Sequence, residues 1–242
     1  MSVDSRAAVG QPAAAKRAPS DLEPAWSRWL GNFLAHGVWD TRVTGAANVP
    51  ASGPVLLAAN HTGVIDGPIL VGATRRPVHV LVKAEMFAGP IGALLSSAGQ
   101  IPIDRDVGRP ALMSALAVLK AGGVVGLFPE GSRGRGDAAS ARAGIAWLAL
   151  NGAAPVVPVA MLGTRRTGES VGHVPGIRRR LVVEFGTPIL LERAPGVSGR
   201  DALEDANEAI RVALGAIVAS ATARTGLVLP TDCPADAEAG SE

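Results

Sequence analysis

The chain has 242 residues, a formal net charge of +2, 3% aromatic residues and a single cysteine, Cys233. That length buries a sizeable core without cross-links, and one cysteine excludes a disulfide framework and points to a reducing compartment. With so few aromatics, and no stretch that interleaves Arg with stacking rings, nucleic acid is not an expected partner.

Residues 1–21 are rich in Ala, Pro, Ser and Gly, have no apolar core of signal-peptide length, and read as a disordered tail. Residues 22–40 form an expected amphipathic helix carrying Leu22, Trp26, Trp29, Leu30, Phe33 and Leu34 at helical spacing. Its apolar face suits either a membrane anchor or packing on the domain. A short strand at 41–46 precedes a continuous apolar run at 54–59, the mark of a buried strand. Next come a turn at 60–63, a helix at 66–72, a strand at 78–82, a helix at 90–97 and a short strand at 101–103. A helix at 109–121 stops at Gly122-Gly123, and a strand at 124–128 runs into Pro129. A helix at 138–150 stops at Asn151-Gly152; strands at 156–162 and 181–185 and a long helix at 200–224 complete a domain spanning 41–225. Residues 226–242 read as a disordered acidic tail.

Strands alternating with helices predict a single α/β domain with one central, mostly parallel sheet flanked by helices. Two uncharged stretches, 86–103 and 143–164, are interrupted by Gly89-Pro90 and by Asn151-Gly152, Pro155 and Pro158. Neither is the run of about 20 apolar residues that a membrane span needs, so no transmembrane helix is expected.

Four segments carry candidate chemistry, and each follows or forms a strand. Asn60-His61-Thr62-Gly63-Val64-Ile65-Asp66 puts a His at a strand end with an Asp just beyond. A carboxylate that holds one imidazole N–H leaves the other nitrogen to act as a general base; the same residues also suit a capping His and an Asp that merely starts a helix. Phe128-Pro129-Glu130-Gly131-Ser132-Arg133 combines glycine for close backbone approach with Arg for phosphate, or is a solvated basic loop. In Gly99-Gln100-Ile101-Pro102-Ile103-Asp104-Arg105 the Arg lies just past an apolar strand, where it holds a ligand or pairs with Asp104. Val156-Val157-Pro158-Val159 contains a proline, which suits an edge strand.

Together and in this order the segments resemble the glycerol-3-phosphate and 1-acylglycerol-3-phosphate acyltransferases, over residues 43–185. The Asn-His pair with an Asp after four residues is matched at Asn60, His61 and Asp66; Phe-Pro-Glu-Gly-Ser/Thr-Arg is matched at Phe128 to Arg133. Lys83-Ala84-Glu85 is similar to a Lys-x-Glu element of the same family, and residues 157–159 to its Pro-containing strand. Thr62-Gly63 replaces the pair common after the His, and Ser132 stands where Thr is frequent.

The resemblance implies a glycerolphosphate-acyltransferase-like fold and transfer of a fatty acyl group to a lysophospholipid hydroxyl. His61 would be the base, Asp66 its orienter, and Arg105, Glu130, Gly131, Ser132, Arg133 and Lys83 the substrate-binding set. Acyl-CoA or acyl carrier protein is the implied co-substrate; no cofactor or metal is expected. Oxyanion donors are sought among backbone N–H groups near 158–160 or around Gly131. The implied place is peripheral, on the cytoplasmic face of the cell membrane. Residues 86–98 suit an acyl channel, a lipid-facing surface or core, and Arg178-Arg179-Arg180 suits anionic headgroups or a solvated loop. Other acceptors, a thioesterase and a non-catalytic lipid-binding protein on the same fold are the competing readings.

Overall fold

The computed structural model describes residues 25–104, 108–130, 135–136 and 143–232. In chain order these form α1 (Ala25–Asn32), which widens into a π-helical turn at Phe33–Val38, β1 (Asp40–Thr44), β2 (Val55–Ala59), α2 (Asp66–Ala73) and β3 (Val78–Lys83). There follow α3 (Gly89–Ser97), β4 (Ile101–Ile103), α4 (Arg109–Lys120), β5 (Val124–Leu127), α5 (Ala143–Gly152), β6 (Val156–Leu162), β7 (Arg180–Phe185) and α6 (Gly199–Thr225).

The seven strands make one sheet in the order β1-β7-β6-β2-β5-β3-β4. All neighbours are parallel except β6 and β7, so the expected mostly parallel α/β architecture holds. β2 lies at the centre with every residue buried, because helices cover both faces. Its alternating side chains divide between two cores. Val55, Leu57 and Ala59 pack toward α2 and the end of α1, and Leu56 and Ala58 toward α4, α5 and α6. Each fully buried Leu here contributes about 1.5–3 kcal/mol.

One strand sits where the sequence argued against it. Proline in residues 156–159 suited an edge, yet β6 is flanked by β2 and β7. The Gly186 N–H donates to the Pro158 carbonyl at 2.8 Å, and no return bond is needed from proline. The pairing slips by one residue just beyond, at the Val156–Ile189 bridge, so the missing N–H falls at a break in the ladder.

The chain end also departs from expectation. α6 is capped by the Ser198 side chain, which accepts from the Asp201 N–H, and it ends at Gly226 in the left-handed conformation. That turn sends residues 226–232 back across the sheet, where Leu227 and Leu229 pack against the Leu162, Val182 and Val218 cluster. A disordered tail therefore does not begin at 226; the remainder, 233–242 with Cys233, lies outside the described residues, as does the N-terminal tail.

α1 crosses α2 backbone to backbone. A Cβ on Gly72 would lie 2.1 Å from the Gly31 carbonyl oxygen, whereas one on Gly67 of the same helix would meet nothing within 4 Å. Gly72→Ala is expected to destabilise the fold by roughly 1–3 kcal/mol through this overlap, and Gly67→Ala to be near neutral; urea denaturation of the two variants checks this.

Candidate active site

The parallel strands β6, β2, β5, β3 and β4 end on one rim of the sheet, where loops of such folds carry function. β2 reaches the rim and stops because a side chain replaces the next rung. The buried Asn60 amide accepts the Met161 N–H at 2.6 Å and donates to the Met161 carbonyl at 3.0 Å. A carboxamide offers the same donor and acceptor as a peptide group, so the sheet is closed off while the backbone at 61–63 is released to curl.

That curl wraps around one oxygen. Asp66, wholly buried in the first turn of α2, accepts at Oδ2 from the Thr62 N–H (2.8 Å), the Gly63 N–H (2.9 Å) and His61 Nδ1 (2.8 Å). Its other oxygen, Oδ1, is buried with no hydrogen-bond partner among the described residues. The carboxylate thus turns back onto the loop, and His61 is engaged with it, so this segment does more than start a helix. The His61 ring also stacks on Phe128, with centroids 4.1 Å apart and planes 18° from parallel. Bonding to a carboxylate places hydrogen on Nδ1 and leaves the Nε2 lone pair as the acceptor. The side chain retains 16% exposure, so this nitrogen belongs to a ring that solvent or substrate reaches.

Phe128 immediately follows β5, and Glu130 lies two residues on, half-buried at the same rim. Lys83 ends β3, opposite Ile103 of β4 and next to the strand end that leads to Asp104. The structure therefore brings His61, Asp66, Glu130 and Lys83 to one edge of the sheet. Arg105, Gly131, Ser132 and Arg133 lie outside the described residues. The expected oxyanion donors near 158–160 do not hold: Pro158 has no N–H, and Val159 and Ala160 are buried inside the ladder, paired with Phe185 and Glu184.

Two contacts had no local signal in the sequence. The Thr62 and Thr164 hydroxyls meet at 2.9 Å across 102 positions. Beyond Thr164, the fully buried Arg165 binds the Asp232 carboxylate with both oxygens at 3.1 Å. The Arg178–Arg180 run is divided by its partners: Arg179 pairs with Glu169, while Arg178 and Arg180 are exposed. Hydrogen bonding from Arg179, aided by the Arg166 N–H, holds the Glu169 carboxyl at about 2 against a usual 4.5. A depressed carboxyl stabilises the fold above its ordinary value and loses that contribution as pH falls toward the folded one. Glu169→Gln should therefore flatten the fall in stability between pH 4.5 and about 2, read from thermal midpoints across that range.

The acyltransferase family model matches residues 40–162, half of the chain and the whole of the rim from β1 to β6. The chain belongs to this acyltransferase family. Within it, the chain is 34% identical over 125 residues to a 1-acyl-sn-glycerol-3-phosphate acyltransferase of Bacillus subtilis, covering 50% of this chain and 62% of that protein. It is 30% identical over 127 residues to the protein of the same name from Borreliella burgdorferi, covering 50% and 51%. The chain thus spans half to three fifths of the length of these curated relatives. The crystal structure of the 1-acyl-sn-glycerophosphate acyltransferase PlsC from Thermotoga maritima shares the fold, with a TM-score of 0.61 at 21% identity over 80% of this chain and 78% of that one.

Proposed function

We propose that the protein moves a fatty acyl group from acyl-CoA or acyl carrier protein to the free hydroxyl of 1-acylglycerol-3-phosphate, giving phosphatidate. The observation that carries this reading is the 2.8 Å bond from His61 Nδ1 to a buried Asp66 oxygen at a rim shared with Glu130 and Lys83. Relatives named for that reaction support the choice of acceptor.

His61 Nε2 takes the proton of the acceptor hydroxyl as its oxygen attacks the thioester carbonyl. Asp66 stabilises the imidazolium. The tetrahedral oxyanion collapses, the C–S bond breaks, and the imidazolium returns its proton to the departing thiolate. One base thus serves both halves of the reaction. Lys83, Arg105, Glu130 and Arg133 are the residues proposed to hold the phosphate-bearing acceptor, with Gly131 allowing close backbone approach and Ser132 offering its hydroxyl. Fixing the hydroxyl against Nε2 accounts for much of the rate advantage.

Both substrates carry long apolar chains, and the surface fits them. Trp29 is 69% exposed and stacks on the half-exposed Phe33, while α3 exposes Ile91 and Leu94 instead of joining the core. Trp26, Leu30 and Leu34 of the α1 segment face Leu94 and Leu95 across an apolar groove of about 140 Å³. Leu34 also packs against the core, so the first helix divides its apolar residues between core and surface. Among the described residues no helix is long and apolar enough to cross a membrane. The exposed apolar residues support peripheral attachment to a lipid surface, which the family resemblance would put at the cytoplasmic face.

With oleoyl-CoA and 1-acylglycerol-3-phosphate in detergent, wild type should release thiol and form phosphatidate in equal amounts. His61→Ala should lower phosphatidate formation by about 10²–10⁴ in a protein that still folds and unfolds cooperatively, as read by mass spectrometry and calorimetry. Thiol release without phosphatidate would identify a thioesterase instead.

A further inference from the structure

The segment after α6 does not take part in the proposed chemistry, yet it grips residues 165–168, which directly follow the Thr164 that touches the His61 loop. We propose that Arg165 and Asp232 are positioning residues: their ion pair clamps residues 226–232 as a strap that holds the Thr62–Gly63 turn, and through it Asp66 and His61, in register. This rests on the acyltransferase reading only for its kinetic consequence.

Arg165 is 1% exposed. One guanidinium nitrogen donates to both Asp232 carboxylate oxygens at 3.1 Å and to the Glu169 carbonyl at 2.9 Å, and the other donates to the Asp232 carbonyl at 3.1 Å. The strap is fastened further by the Gly168 N–H on the Asp232 carboxylate and by the Thr231 N–H on the Thr167 hydroxyl. Burial works against the Asp232 charge, but the Gly168 N–H and Arg165 outweigh it and hold its carboxyl below the usual range. Burying an Arg costs free energy unless it is paired, so removing the Asp232 charge loosens the strap at its main fastening.

Two routes lead from the strap to the dyad. Thr164, next to Arg165, touches Thr62 through the 2.9 Å hydroxyl pair, and its carbonyl lies 3.1 Å from the point where a Gly63 side chain would begin. The strap also meets the loop at Gly136, which is buried in the left-handed conformation: a Cβ there would lie 2.5 Å from the Thr62 methyl, 2.8 Å from the Asn60 amide nitrogen and 3.5 Å from Leu229, so these three side chains gather on one side of it. Thr62 thus meets Thr164 through its hydroxyl and the Gly136–Leu229 neighbourhood through its methyl, and Thr62 and Gly63 supply two of the three donors on Asp66 Oδ2. A small displacement of a catalytic group costs up to about 10²-fold in rate.

Asp232→Asn in the full chain tests the proposal, with a readout that needs no turnover. The chain contains four histidines, so ¹⁵N-histidine NMR resolves the His61 Nδ1–H signal, assigned by its loss in His61→Gln. In Asp232→Asn that proton should exchange with water at least about tenfold faster, and kcat should fall about 10- to 100-fold with KM for the thioester changed less than about twofold. In an Asp66→Asn background, Asp232→Asn should cost little further rate, because the two act through one loop. Thr164→Val leaves the strap fastened but cuts the relay, and should reproduce the faster exchange if Asp232→Asn fails to fold. An unchanged His61 signal with a demonstrably freed strap, or in a folded Thr164→Val, overturns the proposal. Absence of acyl transfer by wild type, with the signal behaving as expected, would remove the acyltransferase reading and leave the strap.

Discussion

Three donors converge on a single buried oxygen, Asp66 Oδ2, and the rest of the site depends on that convergence. Two are backbone N–H groups of the loop that carries His61, and the third is His61 itself. The carboxylate is wholly buried, where an unpaired polar group is expensive. Loop conformation and imidazole orientation are therefore set together, since a rotated histidine would remove one of the donors. Phe128 fixes the ring plane from the neighbouring strand end. In the proposed reaction this arrangement supplies proximity and orientation before substrate arrives.

The sheet makes this possible. Parallel strands buried on both faces deliver their C-terminal ends to one rim, so residues 67 positions apart, His61 and Phe128, come into contact there. Asn60 closes the last rung of β2 with its side chain and separates rigid strand from functional loop within one residue. The antiparallel β7 and the strap after α6 then close the β6 side of the rim, with Arg165 as the fastening point.

Much of this was legible in the sequence. Continuous apolar runs bounded by glycine, proline and asparagine marked β2, β5 and β6 to within a residue or two, because strands buried on both faces leave no polar alternation. His61, Asp66 and Glu130 stood out because each sits just past such a run. What was not legible depends on contacts between distant residues. Pro158 suited an edge until the one-residue slip opposite Gly186–Ile189 gave its missing N–H a place to fall. Asp232 lay in a stretch whose composition suggests disorder, and its partners are distant, Arg165 67 residues away and the Gly168 N–H 64 residues away. The role of Phe128 as a platform for the imidazole also required the register of β2 on β5.

On the proposed reading, His61 held this firmly at one rim serves direct transfer, in which thioester and hydroxyl are bound together and no acyl group is parked on the protein. Initial rates measured over a grid of thioester and lysophospholipid concentrations test that claim most directly. Direct transfer gives reciprocal plots that intersect, with slopes that change as the second substrate is varied, as required by a complex holding both substrates. Parallel lines, together with an acyl adduct on the protein seen by mass spectrometry when the acceptor is withheld, would contradict it.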